Sequence, residues 1–288
     1  MSRVAALVDG SGFMYRAYYG LPQLTNDRGQ PVGALYGFCS MLISLLDKHE
    51  SDLFCIAMDS GRQTFRSEIY AAYKANRSET PPDLKLQFPL MKEACIAFGA
   101  HVASKTGFEA DDLIATYARK LSAKGYEVRI IASDKDLMQL VDEKISMFDP
   151  LRSKVIGVED VKARYGVLPS QMIALQALTG DSTDNIPGVQ GVGPKTASKL
   201  LNEFKTLEGI YQNIDKIKQQ KIRENLIRQK DVLETSLKLV ALDNDVDIDE
   251  NFDDLVVSID YNRTINFLNL HNFSSLIGRW TKLREKVR

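Results

Sequence analysis

Three short apolar runs in the first half of the chain each lead into an aspartate: "VAALVD" to Asp9, "LFCIAMD" to Asp59 and "VRIIASD" to Asp134. Near-continuous apolar character without strict alternation predicts strands buried on both faces, as in a parallel sheet. Between them the period lengthens. "EADDLIATYARKLSAKG" puts Leu113, Ile114, Tyr117 and Leu121 on one stripe and stops at Gly125, predicting an amphipathic helix. Strand–helix alternation implies an α/β core. Ligands of such sheets bind beyond the carboxyl ends of the strands, so the three strand-end acids belong to one rim. A single Asp there is most simply a helix cap or turn residue. Three of them, with "GFEADD" at 107–112, are hard to explain as unrelated caps.

From about residue 168 the pattern changes. "GDSTDNIPGVQGVGPKTASKLLNEF" begins rich in Gly and turn residues and then turns helical, and residues 195–230 hold nine Lys/Arg against four Asp/Glu. This predicts two parts: a core over 1–167 and a helical, basic subdomain over 168–288. The acidic stretch "LDNDVDIDENFDDL" fails the calcium-loop pattern, with Ile248 at the required Gly and Asp254 at the Glu, and is expected to be a solvated strand or loop. The tail "GRWTKLREKVR" reads as a basic helix end.

Composition adds limits. At 288 residues, 44% hydrophobic and 26% charged, the chain has ordinary globular make-up. No apolar run is long enough to span a bilayer, and the opening run reads as a strand rather than a signal peptide. Cys39, Cys55 and Cys95 are scattered and odd in number, which suits reduced thiols in a cytoplasm. His49, His101 and His271 share no metal-ligand spacing. The formal net charge is −1, but with the nine clustered acids set aside the remainder carries about +8, enough to attract a polyanion.

The acid groups carry the chemistry. Glu109 and Asp112 are three apart and are expected to face one way at a helix start, with Asp111 turned about 100° away. Asp134 and Asp136 flank Lys135, and Asp181 and Asp184 repeat the three-residue spacing. Oxygen-only donor sets select hard cations, chiefly Mg²⁺ or Mn²⁺. Two metals roughly 4 Å apart are the common device for in-line phosphodiester chemistry, and would explain so many carboxylates.

Two further motifs look cationic. "IPGVQGVGPKTASKLL" is no phosphate loop, because Pro194 interrupts the Gly-Lys pair, and no dinucleotide fingerprint, because Thr196 stands where a third Gly belongs. What remains is a Gly-rich hairpin entering a helix with Lys195 and Lys199, suited to a phosphodiester backbone. In "TFRSEIYAAYKANRSETPPDL", Arg66, Tyr73, Lys74 and Arg77 fall at helical spacings, with Pro81–Pro82 ending the run. This predicts a basic helix over the rim, with Tyr73 available to stack on a base.

Taken together, "LVDGSGFMYRAYYGLP", "GALYGF", "AMDSGRQTFRSEIYAAYKANR", "GFEADDLIAT", "SDKDLMQLV" and "GDSTDNIPGVQGVGPKTA" closely resemble the 5′-nuclease (flap endonuclease) family, in particular the 5′→3′ exonuclease domain of bacterial DNA polymerase I. The resemblance covers nearly the whole chain. It implies a three-layer α/β PIN-like core with a mainly parallel central sheet and a helix-hairpin-helix subdomain. One metal cluster would use Asp9, Asp59, Glu109, Asp111 and Asp112, and the other Asp134, Asp136, Asp181 and Asp184, some through water. Lys74 and Arg77 match basic residues of the helical gateway that contact the scissile phosphate, with Arg66 and Tyr73 as further DNA contacts. Gly191, Val192, Gly193, Pro194, Lys195 and Thr196, with Lys199, match the hairpin that grips downstream duplex. The backbone carbonyls of Leu178, Thr179, Pro187, Val189 and Val192 match a potassium site.

The implied activity is metal-dependent 5′→3′ exonuclease and 5′-flap cleavage of DNA, with Mg²⁺ as cofactor and Mn²⁺ as substitute. The implied substrates are flaps, nicks and recessed 5′ ends, processed by a cytoplasmic monomer, free-standing or joined to a polymerase. Gly12, where the family often has Ser, and Ser78, where it often has Pro, depart from the pattern. A non-catalytic, exonuclease IX-like DNA-binding protein is the rival from another class, and it would lack several second-cluster acids that this chain keeps. A PIN-type ribonuclease, generally shorter and without the hairpin, is the third.

Overall fold

The computed structural model describes residues 3–48, 51–248 and 251–287. Six strands form one sheet: β1 Val4–Asp9, β2 Leu53–Ala57, β3 His101–Ala103, β4 Glu127–Ile131, β5 Ile145–Asp149 and β6 Lys154–Ile156, in the order β3-β2-β1-β4-β5-β6. The first five run parallel, and β6 pairs antiparallel with β5. β1 lies at the centre, with Ala5 opposite Leu53 on one side and Val128 on the other. The three strands predicted from the Asp-terminated runs are therefore neighbours, and their carboxyl ends open on one rim.

Alternation along β1 sorts the two faces. Ala6 and Val8 join Phe54, Ile56 and Ile131 in one core, packed by helices Gly10–Gly20, Gly33–Lys48 and Phe88–Ala97. Ala5 and Leu7 join Leu53, Cys55, Val128 and Ile130 in the other, under helix Ala110–Ala123. That helix buries Leu113, Ile114, Tyr117 and Leu121 as the sequence period requires, and Gly125 beyond it takes φ +88°. The second core runs on without a break into the helical part, through Val161, Leu175, Leu178, Leu201 and Leu226.

The chain after residue 260 returns to the sheet. Helices Tyr261–Leu270 and Ser274–Val287 place Phe267, Leu268, Phe273, Leu276, Trp280 and Leu283 in the first core, beside Leu35, Leu42 and Phe98. The basic tail is a helix, as expected, but residues 261–283 pack into the first core, against helices Gly33–Lys48 and Phe88–Ala97. The acidic stretch after Leu242 runs as loop through Ile248 with Val246 buried, then a 3-10 turn at Phe252–Leu255; its Asp249 and Glu250 lie outside the described residues. No helix among the described residues is long and apolar enough to cross a membrane.

One predicted element does not form. In place of a basic helix over 66–77, only Phe65–Ile69 is helical, and turns follow through Arg77. Lys74 sits at φ +54°, and its N–H donates to the Asp184 carbonyl at 2.9 Å, so the backbone is committed across the molecule rather than along a helix. Pro82 starts the short helix Pro82–Lys85 instead of ending a longer one.

Trp280 is 1% exposed and stands edge-to-face on Phe98 at 5.0 Å. Trp280→Ala should lower the unfolding free energy by about 3–5 kcal/mol. Denaturant titration checks this, and a loss under about 1 kcal/mol would show that the tail only decorates the core.

Candidate metal and nucleic-acid site

Asp9 is the last residue of β1 and caps the following helix, its Oδ1 accepting the Gly12 N–H at 2.8 Å. Asp59 lies two residues past β2, and its Oδ1 accepts the Ala110 N–H at 2.8 Å. Asp134 lies three residues past β4 and accepts the Asp136 N–H at 2.9 Å. Asp111, on the first turn of helix Ala110–Ala123, faces this group. Burial, then repulsion by Asp59 and Asp134, pushes Asp9 up to about 7, against the opposing Gly12 N–H and Lys74. Burial with Asp134 and Asp9 pushes Asp111 well above the usual carboxylate range. Burial and Asp134 raise Asp136 to about 7, although the Gln176 amide donates to it. The strand ends thus hold acids within Coulomb range of one another, as the sequence implied.

A Cβ at Gly12 would sit 2.2 Å from Asp9 Oδ2. The glycine here therefore lets the Asp9 carboxylate lie down over the helix start, which a serine would prevent without moving that side chain.

Within "GFEADD", Asp112 departs from the metal role that the resemblance implies, and Asp111 does not. Asp112 is fully buried and both its oxygens are used: Oδ1 accepts from Arg66 Nη2 at 2.7 Å and the Asp243 N–H at 2.9 Å, and Oδ2 from Arg66 Nη1 at 2.8 Å and the Glu109 N–H at 3.0 Å. No lone pair is left for a metal, so Asp112 is an anchor, while Asp111, turned away from it on the helix, faces the other acids. Arg66 is 1% exposed and also donates to the Leu239 and Ala241 carbonyls. Burial alone would lower its pKa, but Asp112 and Glu109 outweigh that and keep it charged. Arg66 is thus no DNA contact. Tyr73 is also buried, its hydroxyl donating to Glu109 Oε2 at 3.1 Å, so it presents no face for a base.

Lys74 and Arg77 do reach the acids. Lys74 Nζ lies 2.8 Å from Glu109 Oε1 and 3.7 Å from Asp184 Oδ2, and Arg77 pairs with Asp184 Oδ1. Lys135 pairs with Asp181 Oδ2 at 2.7 Å, and that bond and the Thr183 N–H hold Asp181 below the usual carboxylate range despite burial. Three residues that motif reading passed over stitch this region: Asn76 donates to the Ser182 carbonyl, Asn185 to the Ala72 carbonyl and Gln176 to Asp136. Only Asn185, closing the "STDN" turn at φ +55°, carried a sequence signal of its kind.

Basic side chains thus stand on Glu109, Asp181 and Asp184 where cations could sit. Among the described residues, no three His, Cys, Asp or Glu side chains close around one point. The donors nevertheless fit hard cations: they are carboxylate oxygens, crowded enough to repel, with Gln176 Oε1 buried and unpartnered beside Asp136. Mg²⁺ keeps several waters and takes only one or two carboxylates directly, so a loose acid set suits it.

The hairpin lies between helices Met172–Thr179 and Pro194–Phe204. Gly191 takes φ +83°, Gly193 precedes the second helix, and Pro194 and Lys195 are exposed at its N-terminus with Thr196 half-buried and Lys199 exposed. Of the carbonyls matched to potassium, those of Leu178, Pro187 and Val189 already accept hydrogen bonds from Val189 N, Ser236 Oγ and Val192 N. Gly180 and Gly188 bring these strands of backbone together, since a Cβ at Gly188 would lie 2.4 Å from Thr179 O.

Two family models match in succession: the 5′-3′ exonuclease N-terminal resolvase-like domain over residues 4–166, and the 5′-3′ exonuclease C-terminal SAM fold over 167–262. The chain belongs to the 5′-3′ exonuclease family. A 5′-3′ exonuclease of Aquifex aeolicus is 40% identical over 251 residues, covering 87% of this chain and 86% of that protein. DNA polymerase I of Rhizobium leguminosarum is 45% identical over 282 residues, 95% of this chain but only 28% of its own length. Among solved structures, the bacteriophage T5 flap endonuclease in a complex with DNA and metal ions aligns over 98% of both chains, at 25% identity and a TM-score of 0.68.

For this member of the exonuclease family, Arg66→Met should cost about 3–5 kcal/mol, because Asp112 is left charged, buried and unpaired. Arg66→Met with Asp112→Asn should recover part of that loss, because no charge is then left buried and the amide oxygen can still accept the Asp243 N–H. Thermal unfolding of both variants checks it, and a mild effect of the single change would refute the anchor.

Acid crowding sets a pH dependence. Asp9 and Asp136 rise from 3.8 to about 7 on folding, so the folded chain binds more protons than the unfolded one in that window. Stability of the metal-free chain should fall as pH rises from about 4 to about 7. Melting curves in a chelator should show this fall, and Mg²⁺ should flatten it.

Proposed function

We propose that the chain is a metal-dependent nuclease that hydrolyses phosphodiester bonds of DNA at 5′ ends and 5′ flaps, with Mg²⁺ as the working cation and Mn²⁺ as a substitute. The observation that carries this is the convergence of acids from the ends of β1, β2 and β4, from helix Ala110–Ala123 and from the 181–184 loop, with Lys74 and Arg77 set among them. The T5 relative, solved with DNA and metal ions, supports both partners of the reaction.

Cations held by Asp9, Asp59, Asp111, Asp134, Asp136, Asp181 and Asp184, with Glu109, would supply an activated water and neutralise the leaving oxygen. The chain's own residues do the rest. Lys74 and Arg77, leaving Glu109 and Asp184, would pass to the scissile phosphate and stabilise charge as it develops there. Burial would lower the Lys74 pKa, but Glu109 and Asp184 outweigh it and hold the ammonium charged before it moves. Asp112 with Arg66, and Tyr73 with Glu109, fix the donors from behind. The hairpin from Gly191 to Thr196, with Lys199, would hold the downstream duplex by its backbone, with a K⁺ ion at its carbonyls.

We place the functional division at 167/168, with the tail after 260 serving the first part. Three buried, free cysteines suit a reducing, cytoplasmic setting. The chain spans 28% of the Rhizobium polymerase and 86% of the Aquifex exonuclease, and the proposed activity holds for a nuclease that is free-standing or joined to a polymerase.

The test is product mapping on a labelled 5′-flap duplex. Cleavage should require Mg²⁺ and leave a 5′-phosphate; binding without cleavage at any cation concentration would leave only a binding module. Lys74→Ala should cut single-turnover cleavage by 10²-fold or so while moving the Kd little. A change in Kd alone would reduce Lys74 to a backbone contact.

A further inference from the structure

A cavity of about 460 Å³ opens between helix Pro194–Phe204 and the turn at 216–219, away from the acid rim. Lys195 and Lys199, four apart on one face of the helix, line one side. Lys216 and Lys218 line the other, on either side of Ile217, which is buried and pins the turn to the core. All four lysines are exposed, and none forms an ion pair among the described residues. Glu203, also in the lining, pairs with none of them. Other lysines, such as Lys92 and Lys144, also stand without an ion pair among the described residues, so what marks this place is the grouping of four around one hollow. Four like charges around one hollow repel one another, and a surface built only for solubility mixes its signs.

The hollow is continuous with the hairpin, because Lys195 and Thr196 belong to both. The helix there has no side-chain cap, so its first N–H groups also face an incoming anion. Lysines are point charges without the planar fork that selects one phosphate geometry. They suit a run of phosphodiester groups better than one compact anion.

We propose that Lys216 and Lys218 form a second contact with the duplex backbone, extending the grip of the hairpin further along the downstream arm. The inference rests on the reading of the chain as a DNA nuclease. Each lysine neutralises a phosphate, so each steepens the salt dependence of binding.

Binding of 5′-flap substrates, measured by fluorescence anisotropy across a salt series, tests this with downstream arms shortened one base pair at a time. Lys216→Gln with Lys218→Gln should flatten the log Kd against log salt slope by about 1.8 on long arms, two phosphates at about 0.9 each. On arms too short to reach the hollow, the variant and the parent should agree. The charge-keeping pair Lys216→Arg with Lys218→Arg should restore the parent slope; if it behaves like the Gln pair, the effect is not electrostatic and the proposal falls. An unchanged slope in the Gln pair, with a parent that binds and cleaves, overturns the second contact alone. A parent that neither binds nor cleaves overturns the nuclease reading and this inference with it. Tripolyphosphate binding to the parent, lost in the Gln pair while the DNA slope is unchanged, would reassign the hollow to a free polyanion and overturn the duplex contact.

Discussion

Carboxylates do not gather unless something holds them, and the rim of this sheet holds them by topology. Asp9, Asp59 and Asp134 follow three adjacent parallel strands, so the register of β1 with β2 and β4 fixes where the acids stand before any side chain chooses a rotamer. Burial first, and then repulsion between neighbouring acids, raises Asp9, Asp111 and Asp136. The fold tolerates that because other bonds commit each backbone: the Gly12 N–H on Asp9, the Ala110 N–H on Asp59 and the Asp136 N–H on Asp134. The energy stored in this crowding is what a cation can release, so the arrangement trades stability for affinity toward positive charge.

A second commitment lies behind the first. The Arg66–Asp112 pair is enclosed, bidentate and tied to the backbone at Glu109, Leu239, Ala241 and Asp243. It therefore joins the segment leading to Lys74, the helix that carries Asp111, and the chain leaving helix Lys230–Val240. A buried ion pair is weak evidence for stability in itself, since desolvation offsets much of the attraction. Its value here is positional: with every acceptor of Asp112 filled, the start of helix Ala110–Ala123 has one orientation, and that orientation sends Asp111 toward the other acids.

The sequence made the sheet and its rim legible because apolar runs ending in aspartate are local patterns, and parallel strands must bring their ends together. It also marked the hairpin, through Gly191 and Gly193 ahead of Pro194. It misplaced what depends on partners far along the chain. Spacing of three does bring Glu109 and Asp112 to one side, both onto Arg66 at 3.6 and 2.7 Å, but it could not show that Arg66, 46 residues earlier, fills Asp112 completely while Lys74 takes the other oxygen of Glu109. Arg66 and Tyr73 looked like surface groups on an amphipathic helix because their charge and ring were visible and their burial was not. That helix failed for the same reason: Lys74 N–H bonds to Asp184, 110 residues away, a competitor that no local propensity contains. The tail, basic by composition, still buries Trp280, since the apolar positions and not the net charge decide where a helix packs.

One helix joins the hairpin to the acids. Helix Met172–Thr179 touches both: Gln176 donates to Asp136, and two residues later the Leu178 carbonyl receives Val189 N–H from the hairpin. Just beyond its end, Gly180 lies so close to Gly188 that a Cβ on either would strike the other's backbone or its neighbour's. Asp181 follows Gly180 directly, and its backbone pairs with Ile186 in both directions. The hairpin, the 181–184 acids and the Lys74 segment stitched to them are therefore one packed piece with little slack between its parts. A phosphate backbone seated at Gly191–Thr196 would press on the same short stretch of chain that positions Asp181 and Asp184. On the proposed function, duplex binding and the geometry of the 181–184 acids would be mechanically linked, because close backbone packing and not a flexible linker joins them.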